Sequence, residues 1–206
     1  EADWFNDKEA FFQRLIELSG ITPNGNADIV TDSQYFDALR GSFVADTLAD
    51  LQSFLIDLIS DGYSLQMSGR STSGDGAAGT FIWDNSDLST EVGKDEVIAG
   101  EGDGGIYVAP ASDKSGASGA WIRDAIHKIN AKWYGSSGDG VTDDTLSIQS
   151  CINSVFDIFG KGSIYLPKGM YLISDTISIN HSKINLTGDG RGVTEVISSS
   201  PSYDLF

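Results

Sequence analysis

The sequence predicts a multi-domain fold of α-helices and mainly β structure. It comprises an N-terminal helical module, a small antiparallel β domain, and the start of a parallel strand solenoid with a capping helix. Apolar residues recur at threes and fours in roughly the first sixty residues. Short apolar runs then alternate with Gly/Ser/Asp turns, and finally one amphipathic helix precedes closely spaced β-rich runs. We divide the chain into 1–61, 62–124, a linker at 125–132, and 133–206.

Two helices are predicted before the first heptad-like pattern. Asp3 can cap the first helix and Gly20 ends it. Its wide apolar face consists of Trp4, Phe5, Phe11, Phe12, Leu15, Ile16 and Leu18. Thr31 and Asp32 open a second, short helix, whose apolar residues are Tyr35, Phe36 and Leu39.

A third helix is predicted around a heptad pattern. Apolar residues step by four, three, four and three positions through Val44, Leu48, Leu51, Leu55 and Leu58. This is the spacing of a coiled-coil seam; that it is the seam of a trimer is what the resemblance described below implies. The same spacing also fits a helix packed inside its own monomer, because coiled coils normally show three to four heptads.

The middle of the chain is typical of a small antiparallel β domain, because short apolar pieces alternate there with turns. The pieces are Tyr63–Leu65, Thr80–Trp83, Glu96–Ile98, Gly105–Val108 and Ala120–Arg123. Residues 125–132 are predicted to form a short helical connector.

An amphipathic helix opens the last part of the chain. Gly135 to Gly140 is a turn region without apolar period, and Thr142, Asp143 and Asp144 offer acceptors to the free N–H groups of a helix start. The apolar stripe consists of Ile148, Cys151, Ile152, Val155, Phe156 and Phe159, and the helix ends at Gly160 and Gly162.

Short β-rich runs follow this helix. They are Ile164–Leu166, Tyr171–Ile173, Ile177/Ile179 and Ile184/Leu186, with turns at Pro167-Lys168-Gly169 and Gly188-Asp189-Gly190. The helix is expected to close the first rung of a strand solenoid, because the open end of a sheet stack presents unpaired backbone groups.

These residues also resemble a known family. The matching segments are Trp133-Tyr134-Gly135, Gly138-Asp139-Gly140-Val141-Thr142-Asp143-Asp144-Thr145, Ile148-Gln149, Ile164 to Gly169, Tyr171-Leu172-Ile173 and Gly188 to Gly192. Their order and spacing resemble the first segment of the pectate-lyase-like right-handed parallel β-helix family, which includes bacteriophage tailspike depolymerases. The resemblance covers roughly the last 75 residues.

Two further stretches resemble phage tail proteins. Gly74 to Asp84 together with Gly119 to Arg123 is similar to the head- or tail-binding domains that precede β-helices in tailspikes, although Ala120 stands where an Arg is usual. Ile21 to Gly25 with its flanking helices resembles small helical modules of tail-fibre proteins. This second resemblance favours a homotrimer.

The resemblance implies a virion protein of the phage tail. Its N-terminal portion would anchor the spike to a tail or baseplate adaptor or to another tailspike, and its β-helix would degrade host surface polysaccharide as a glycosidase or lyase. The cleaving residues of the family normally lie on later coils, so we expect this chain to be a truncated piece without activity of its own. Two alternatives remain open: a secreted bacterial pectate-lyase-like lyase or hydrolase, and a non-catalytic β-helix adhesin.

Composition narrows the function classes. A net charge of −17 argues against nucleic-acid binding. No apolar run approaches the roughly 18 residues of a membrane span, so no membrane insertion is expected. The opening Glu1-Ala2-Asp3 lacks a signal peptide's basic region and apolar core. The lone Cys151 is expected in the core.

The acidic residues and histidines suggest few chemical roles. Asp139, Asp143 and Asp144 could form an acid/base pair or a cation site, but their place beside a helix start favours helix caps and loop braces. The turn acids lack calcium-loop spacing; they are Asp75, Asp84, Asp87, Glu101 and Asp103. His127 and His181 have no nucleophile partner at a recognisable elbow. We therefore expect no catalytic residue, cofactor or metal here. The family motif is Gly138, Asp139, Gly140, Thr142, Asp143 and Asp144.

Overall fold

The computed structural model describes residues 44–124, 128–180 and 182–199. The chain divides into two compact units, Glu1–Ala45 and Asp46–Phe206. The helices predicted from Asp3 and Thr31, and both histidines, lie outside the described residues. In the first unit the structure describes only strand β1, Val44–Ala45. The second unit contains everything that follows.

The continuous helix predicted over Val44–Leu58 is wrong, whereas the trimer seam predicted for these residues stays a prediction. Helix α1 spans only Leu48–Gln52. The helix ends at Gln52, because the Gln52 carbonyl accepts a 2.7 Å hydrogen bond from the Ala111 N–H instead of from a later helical residue. Leu55 lies in the following loop and is 44% exposed, and a 3₁₀-helix then covers Ile56–Leu58. The regular spacing therefore arises from separate short elements; the side chain of Leu58 is not described.

An antiparallel sheet follows, as predicted. Its strands are β2 (Ser64–Met67), β3 (Gly79–Asp84), β4 (Tyr107–Val108) and β5 (Ala120–Arg123). Strand β3 pairs with both β2 and β5, and β4 pairs with β5. Trp83 and Trp121 lie opposite each other in the register, and their ring centroids are 5.3 Å apart in an edge-to-face arrangement. This aromatic pair fills the core face of the sheet.

The predicted strand at Glu96–Ile98 is wrong. Helix α2, Ser89–Asp95, precedes it, and the three residues belong to a tight loop. The N–H groups of Val97 and Ile98 both donate to Asp103 Oδ1, and the Glu96 carboxylate accepts from two glycine N–H groups. Side-chain carboxylates therefore take the place of a partner strand.

Two parallel ladders make up the last part, as a strand solenoid requires. The strands are β6 (Ile129–Asn130), β7 (Asp139–Asp143), β8 (Gly162–Leu166), β9 (Gly169–Ile173), β10 (Ile184–Gly188) and β11 (Thr194–Ser198). One ladder has the order β10-β8-β6 and the other β11-β9-β7. Successive coils thus stack strand on strand in parallel.

The interior of the solenoid is an in-register aliphatic stack. Ile129 pairs with Ile164, which pairs with Leu186. Ile129 and Ile164 are buried, whereas Leu186 is 38% exposed. The other ladder repeats the pattern, because Tyr171 is fully buried and its partner Val196 is 49% exposed. The apolar interior is thus covered on the first coils and open on the last described one.

Helix α3, Thr145–Phe159, lies beside these coils and ends at Gly160 in a left-handed conformation. Ile148, Cys151, Ile152 and Val155 of the predicted stripe are buried, whereas Phe159 is largely exposed. No described helix combines the length and apolar character needed to cross a membrane.

Two predictions near this helix are wrong. Ile177 and Ile179 form no strand, because the backbone N–H and carbonyl of Ser178 bond to the side chain of Gln149 on α3. The linker at 125–132 is not one continuous helix. Of its described residues, Ile129–Asn130 form β6, and only its end belongs to a 3₁₀-helix, Ala131–Tyr134.

The antiparallel sheet and the coils share one core. Ile106, next to β4, is buried in the same apolar cluster as Ile129 of β6 and Ile148 of α3. Helix α2 also packs against α3. Packing therefore continues across the predicted boundary between 62–124 and 133–206.

Candidate functional site

The motif residues 138–144 form an extended edge followed by a helix start. Thr142 lies in β7 and its hydroxyl donates to Asp139, so its assignment to the helix cap needs correction. Asp143 also lies in β7, but its Oδ1 accepts from the N–H of Thr145, the first residue of α3, as the prediction requires. Asp144 occupies the N-cap position, but its side chain makes no capping bond. Gly138 and Gly140 have φ values of 62° and 78°, and a Cβ at Gly138 would lie 2.9 Å from the Tyr171 ring.

The carboxylate of Asp144 braces the preceding loop instead. It accepts hydrogen bonds from the N–H groups of Ser137 (2.5 Å) and Gly138 (3.1 Å), and the residue is buried. Burial raises the pKa of Asp144, while the two N–H donors act in the opposite direction. The side chain thus fixes the Gly/Ser loop against the start of α3.

Asp139 and Asp143 are exposed, yet their oxygens are already occupied. Asp139 accepts from the N–H groups of Val141 and Thr142 and from the Thr142 hydroxyl, which hold its pKa well below the usual range. The hydroxyls of Ser174 and Thr145 donate to Asp143 and lower its pKa to about 2. A general acid needs a carboxyl that holds its proton near neutral pH, so neither residue fits that role, and in this structure both carboxylates brace loops.

A second polar cluster is fully buried at the junction of the sheet and the coils. Asp95 ends α2, and its Oδ2 accepts from the N–H groups of Ile106 and Tyr107, both at 2.6 Å. The Tyr134 hydroxyl donates to Asp95 Oδ1, also at 2.6 Å. Burial raises the pKa of Asp95 to about 6, although these donors favour the ionised form.

Two arginines lie near this cluster, of which Arg123 is buried and Arg70 is partly buried. Arg70 donates to the carbonyls of Asp103 and Trp133 and pairs with the Asp103 carboxylate at 3.2 Å. Arg123 donates to the carbonyls of Gly105, Ala78 and Ala77. Its guanidinium lies between the rings of Phe81 and Trp133, at 4.4 and 4.3 Å, and burial lowers its pKa to about 9. Both arginines thus join loops of the antiparallel part to the first coil.

None of the junction residues was singled out from the sequence for such a role. Asp95 and Tyr134 are 39 positions apart, and their bond depends on the packing of α2 on α3. The sequence gives only a weak signal for this junction, the aromatic pair Trp133-Tyr134 directly before the Gly/Ser loop.

The described residues offer little reactive chemistry. Cys151 is fully buried, and burial raises the pKa of its thiol well above the usual value, as expected of a core residue rather than a nucleophile. Within the described ranges, no three His, Cys, Asp or Glu side chains are grouped so as to hold a metal ion. Asp75 instead accepts four backbone N–H bonds from its own loop.

Comparison with known proteins agrees with this fold. Residues 128–203 match the sequence model described as rhamnogalacturonase A/epimerase, pectate lyase-like. Over 73 residues the chain is 37% identical to mannuronan C5-epimerase AlgE2 of Azotobacter vinelandii. The aligned stretch is 32% of this chain and 7% of that protein. The chain therefore spans only a small fraction of this curated relative.

Solved structures extend the likeness to most of the chain. The enzymatically active domain of tailspike protein 2 of bacteriophage CBA120 aligns with a TM-score of 0.54 and 21% identity, over 79% of this chain and 20% of that one. Tailspike protein gp49 of Acinetobacter baumannii bacteriophage Fri1, a capsular polysaccharide depolymerase, aligns with a TM-score of 0.50 and 18% identity, over 71% and 23%. The chain thus shares the fold of a part of these phage tailspike proteins, and residues 128–203 are similar to the pectate-lyase-like family.

Proposed function

We propose that this chain is the N-terminal portion of a phage tailspike. It attaches the spike to the virion tail or baseplate and carries a β-helix that binds and degrades a host surface polysaccharide. The observation that carries the proposal is that one fold spans both parts, because 79% of the chain aligns with an enzymatically active tailspike domain. The shared core around Ile106 and Ile129 supports an antiparallel sheet that holds the first coil in place.

The names of the similar proteins support a polysaccharide substrate. One is a capsular polysaccharide depolymerase and another is a mannuronan epimerase. The depolymerase aligns over 71% of the chain, and the epimerase over 32%. The residues that decide whether the glycosidic bond is cleaved by hydrolysis or by elimination would lie on later coils.

We place the reaction on coils that stack beyond β10 and β11. The carboxylates of Asp139 and Asp143 are taken up by loop hydrogen bonds, so they are poor candidates for catalysis. The half-exposed Leu186 and Val196 are the interior positions that a following coil would cover. Attachment to an adaptor protein, and assembly as a homotrimer, belong to the same proposal.

A second candidate function has one observation in its favour. The identity to the epimerase, 37%, exceeds the 21% identity to the tailspike domain, although it covers fewer residues. This favours a bacterial polysaccharide lyase or epimerase whose β-helix begins in the same way.

The test uses the full-length protein that contains this chain. It is incubated with capsular and O-antigen polysaccharides, and chain length, reducing ends and new C=C absorbance are followed. We expect depolymerisation by the full-length protein and none by the 206-residue chain. Inversion at C5 without chain shortening favours the second candidate. Absence of the protein from purified phage particles would contradict the attachment role.

A further inference from the structure

A groove of about 340 Å³ opens near the C-terminal end of α3. Its apolar lining is Ile129, Val155 and Phe159, and its polar lining includes Lys161 and Lys183. Phe159 is 41% exposed although it belongs to the apolar stripe of the helix. The groove therefore combines apolar surface with positive charge.

The two lysines are neighbours on parallel strands. Gly162 pairs with Ile184, so Lys161 and Lys183 precede a matched pair at the start of β8 and β10. Like charges at such positions repel each other. Neither ammonium group forms an ion pair or hydrogen bond with any other described residue, whereas Lys114 pairs with Glu101. An anion in the groove would relieve this repulsion.

The opposite end of α3 presents the complementary combination. Val141 and Leu146, which flank the helix start, are 81% and 59% exposed. The loop from Ser174 to Ile179 is tied to the same end, because Ser174 bonds to Asp143 and Ser178 bonds to Gln149. This loop adds the exposed Ile179 and Asp175. Apolar side chains and carboxylates thus share one surface, which we call the acidic face.

The groove and the acidic face do not meet within one copy. Helix α3 has 15 residues, and at 1.5 Å per residue this separates its two ends by about 22 Å. Two different, complementary surfaces on one chain are the requirement for a heterologous interface, which generates a closed ring when the rotation closes.

We propose that the groove beside Phe159 receives the acidic face of a second copy of this chain. Lys161 and Lys183 approach the carboxylate of Asp175, and the apolar floor covers Val141 and Leu146 of the neighbouring copy. The proposal rests on the self-association proposed above and assigns it to these two faces, because the stretch Val44–Leu58 forms no continuous helix.

The test is the mass of the 206-residue chain by light scattering over a range of concentrations. We expect the parent chain to reach about three times its monomer mass of 22.0 kDa. Lys161→Glu/Lys183→Glu and Asp175→Lys should each shift the mass towards the monomer. The triple variant carrying all three changes should regain the mass of the parent, because both charges of the contact are reversed. Lys168→Glu, which lies outside both faces, is the matched control and should leave the mass unchanged.

Three outcomes would overturn the assignment. They are a parent chain that stays monomeric, a double lysine variant that associates like the parent, and a triple variant that fails to regain mass. If the double lysine variant keeps its mass while the full-length protein loses affinity for an acidic polysaccharide, the groove takes sugar instead. A monomeric parent would also contradict the homotrimer of the proposed function. A trimeric parent whose double lysine variant associates equally well would contradict the assignment to these two faces alone, and neither result bears on polysaccharide cleavage.

Discussion

The hydroxyl of Tyr134 donates a 2.6 Å hydrogen bond to the fully buried carboxylate of Asp95. Asp95 ends α2 on the antiparallel side, and Tyr134 ends the 3₁₀-helix that follows β6. This bond therefore links the sheet directly to the first coil. Because the coils need a closed, apolar starting surface, the link explains how one core serves both parts.

The first prediction concerns the pH dependence of stability. The pKa of Asp95 is about 6 in the folded chain and about 3.9 when unfolded. The folded state therefore binds this proton more tightly, so the contribution of Asp95 to the unfolding free energy is greatest below about pH 4. It falls as the pH rises to about 6 and is constant above that. Its size is on the order of 3 kcal/mol.

Asp95→Asn should remove this pH-dependent contribution and keep the fold. The amide oxygen can accept from the N–H groups of Ile106 and Tyr107, and the amide NH₂ can donate to the Tyr134 oxygen. The measurement is urea unfolding of the parent and the variant between pH 4 and pH 8. Asp57→Asn, at an exposed position, is the control. A difference between parent and Asp95→Asn that stays constant with pH would contradict the assignment.

The second prediction concerns Arg123. Its three donated hydrogen bonds satisfy the carbonyls of Ala77, Ala78 and Gly105. Arg123→Met keeps much of the stem but leaves these acceptors without donors, at a cost of about 1–3 kcal/mol for each one that stays buried. Arg123→Lys should also lose stability, because an ammonium group cannot reproduce the fork geometry. Thermal unfolding that is unchanged in Arg123→Lys would show that the planar guanidinium is not required.

The third prediction separates a trimer seam from an internal core. Leu51 is fully buried within its own chain, whereas Leu55 is 44% exposed. Leu51→Asp should therefore unfold the antiparallel part, because it buries a charge without a partner. Leu55→Asp should leave both circular dichroism and oligomeric mass unchanged. Loss of the oligomer in a folded Leu55→Asp protein would restore the seam hypothesis.

The sequence predicted those elements whose signals are local. Helix α3 has a clear apolar stripe ending at Gly160, and β8 and β9 are short β-rich runs on either side of a Pro-Lys-Gly turn. The heptad spacing from Val44 to Leu58 led to the wrong prediction of a continuous helix, because periodicity does not reveal that the Gln52 carbonyl pairs with Ala111. The sequence likewise gives no signal that Asp95 is buried and hydrogen-bonded, because its donors come from other elements of the chain.

The motif carboxylates form hydrogen bonds within their loops and at the helix start, and their lack of a catalytic role stays a prediction. We expected Thr142, Asp143 and Asp144 to cap the helix. Asp143 accepts from the Thr145 N–H at the start of α3, whereas Thr142 lies in β7 and Asp144 bonds to the preceding loop. The sequence gives no direct signal for this, because cap residues and edge-strand braces share the same residue types. The bond from Ser174 to Asp143 joins residues 31 positions apart.

The fourth prediction concerns Asp143. Its pKa is lowered to about 2, so its contribution to stability is present above about pH 4 and is lost as the pH falls through about 2. Asp143→Ala should lower the melting temperature at pH 7, and the difference from the parent should shrink at pH 2. In the full-length protein, turnover should be nearly unchanged wherever the variant stays folded. A large loss of turnover in the folded variant would assign Asp143 to catalysis.

The measurement that tests the β-helix account most directly is amide hydrogen exchange. It compares the 206-residue chain with a longer product of the same reading frame that adds two coils. We expect Ile148 to Val155 of α3 to be protected in both, and the amides of β11 around Val196 to exchange fast in the shorter chain and slowly in the longer one. If β11 is as protected as α3 in the 206-residue chain, or if the added coils leave its exchange unchanged, then no further coil stacks on Leu186 and Val196.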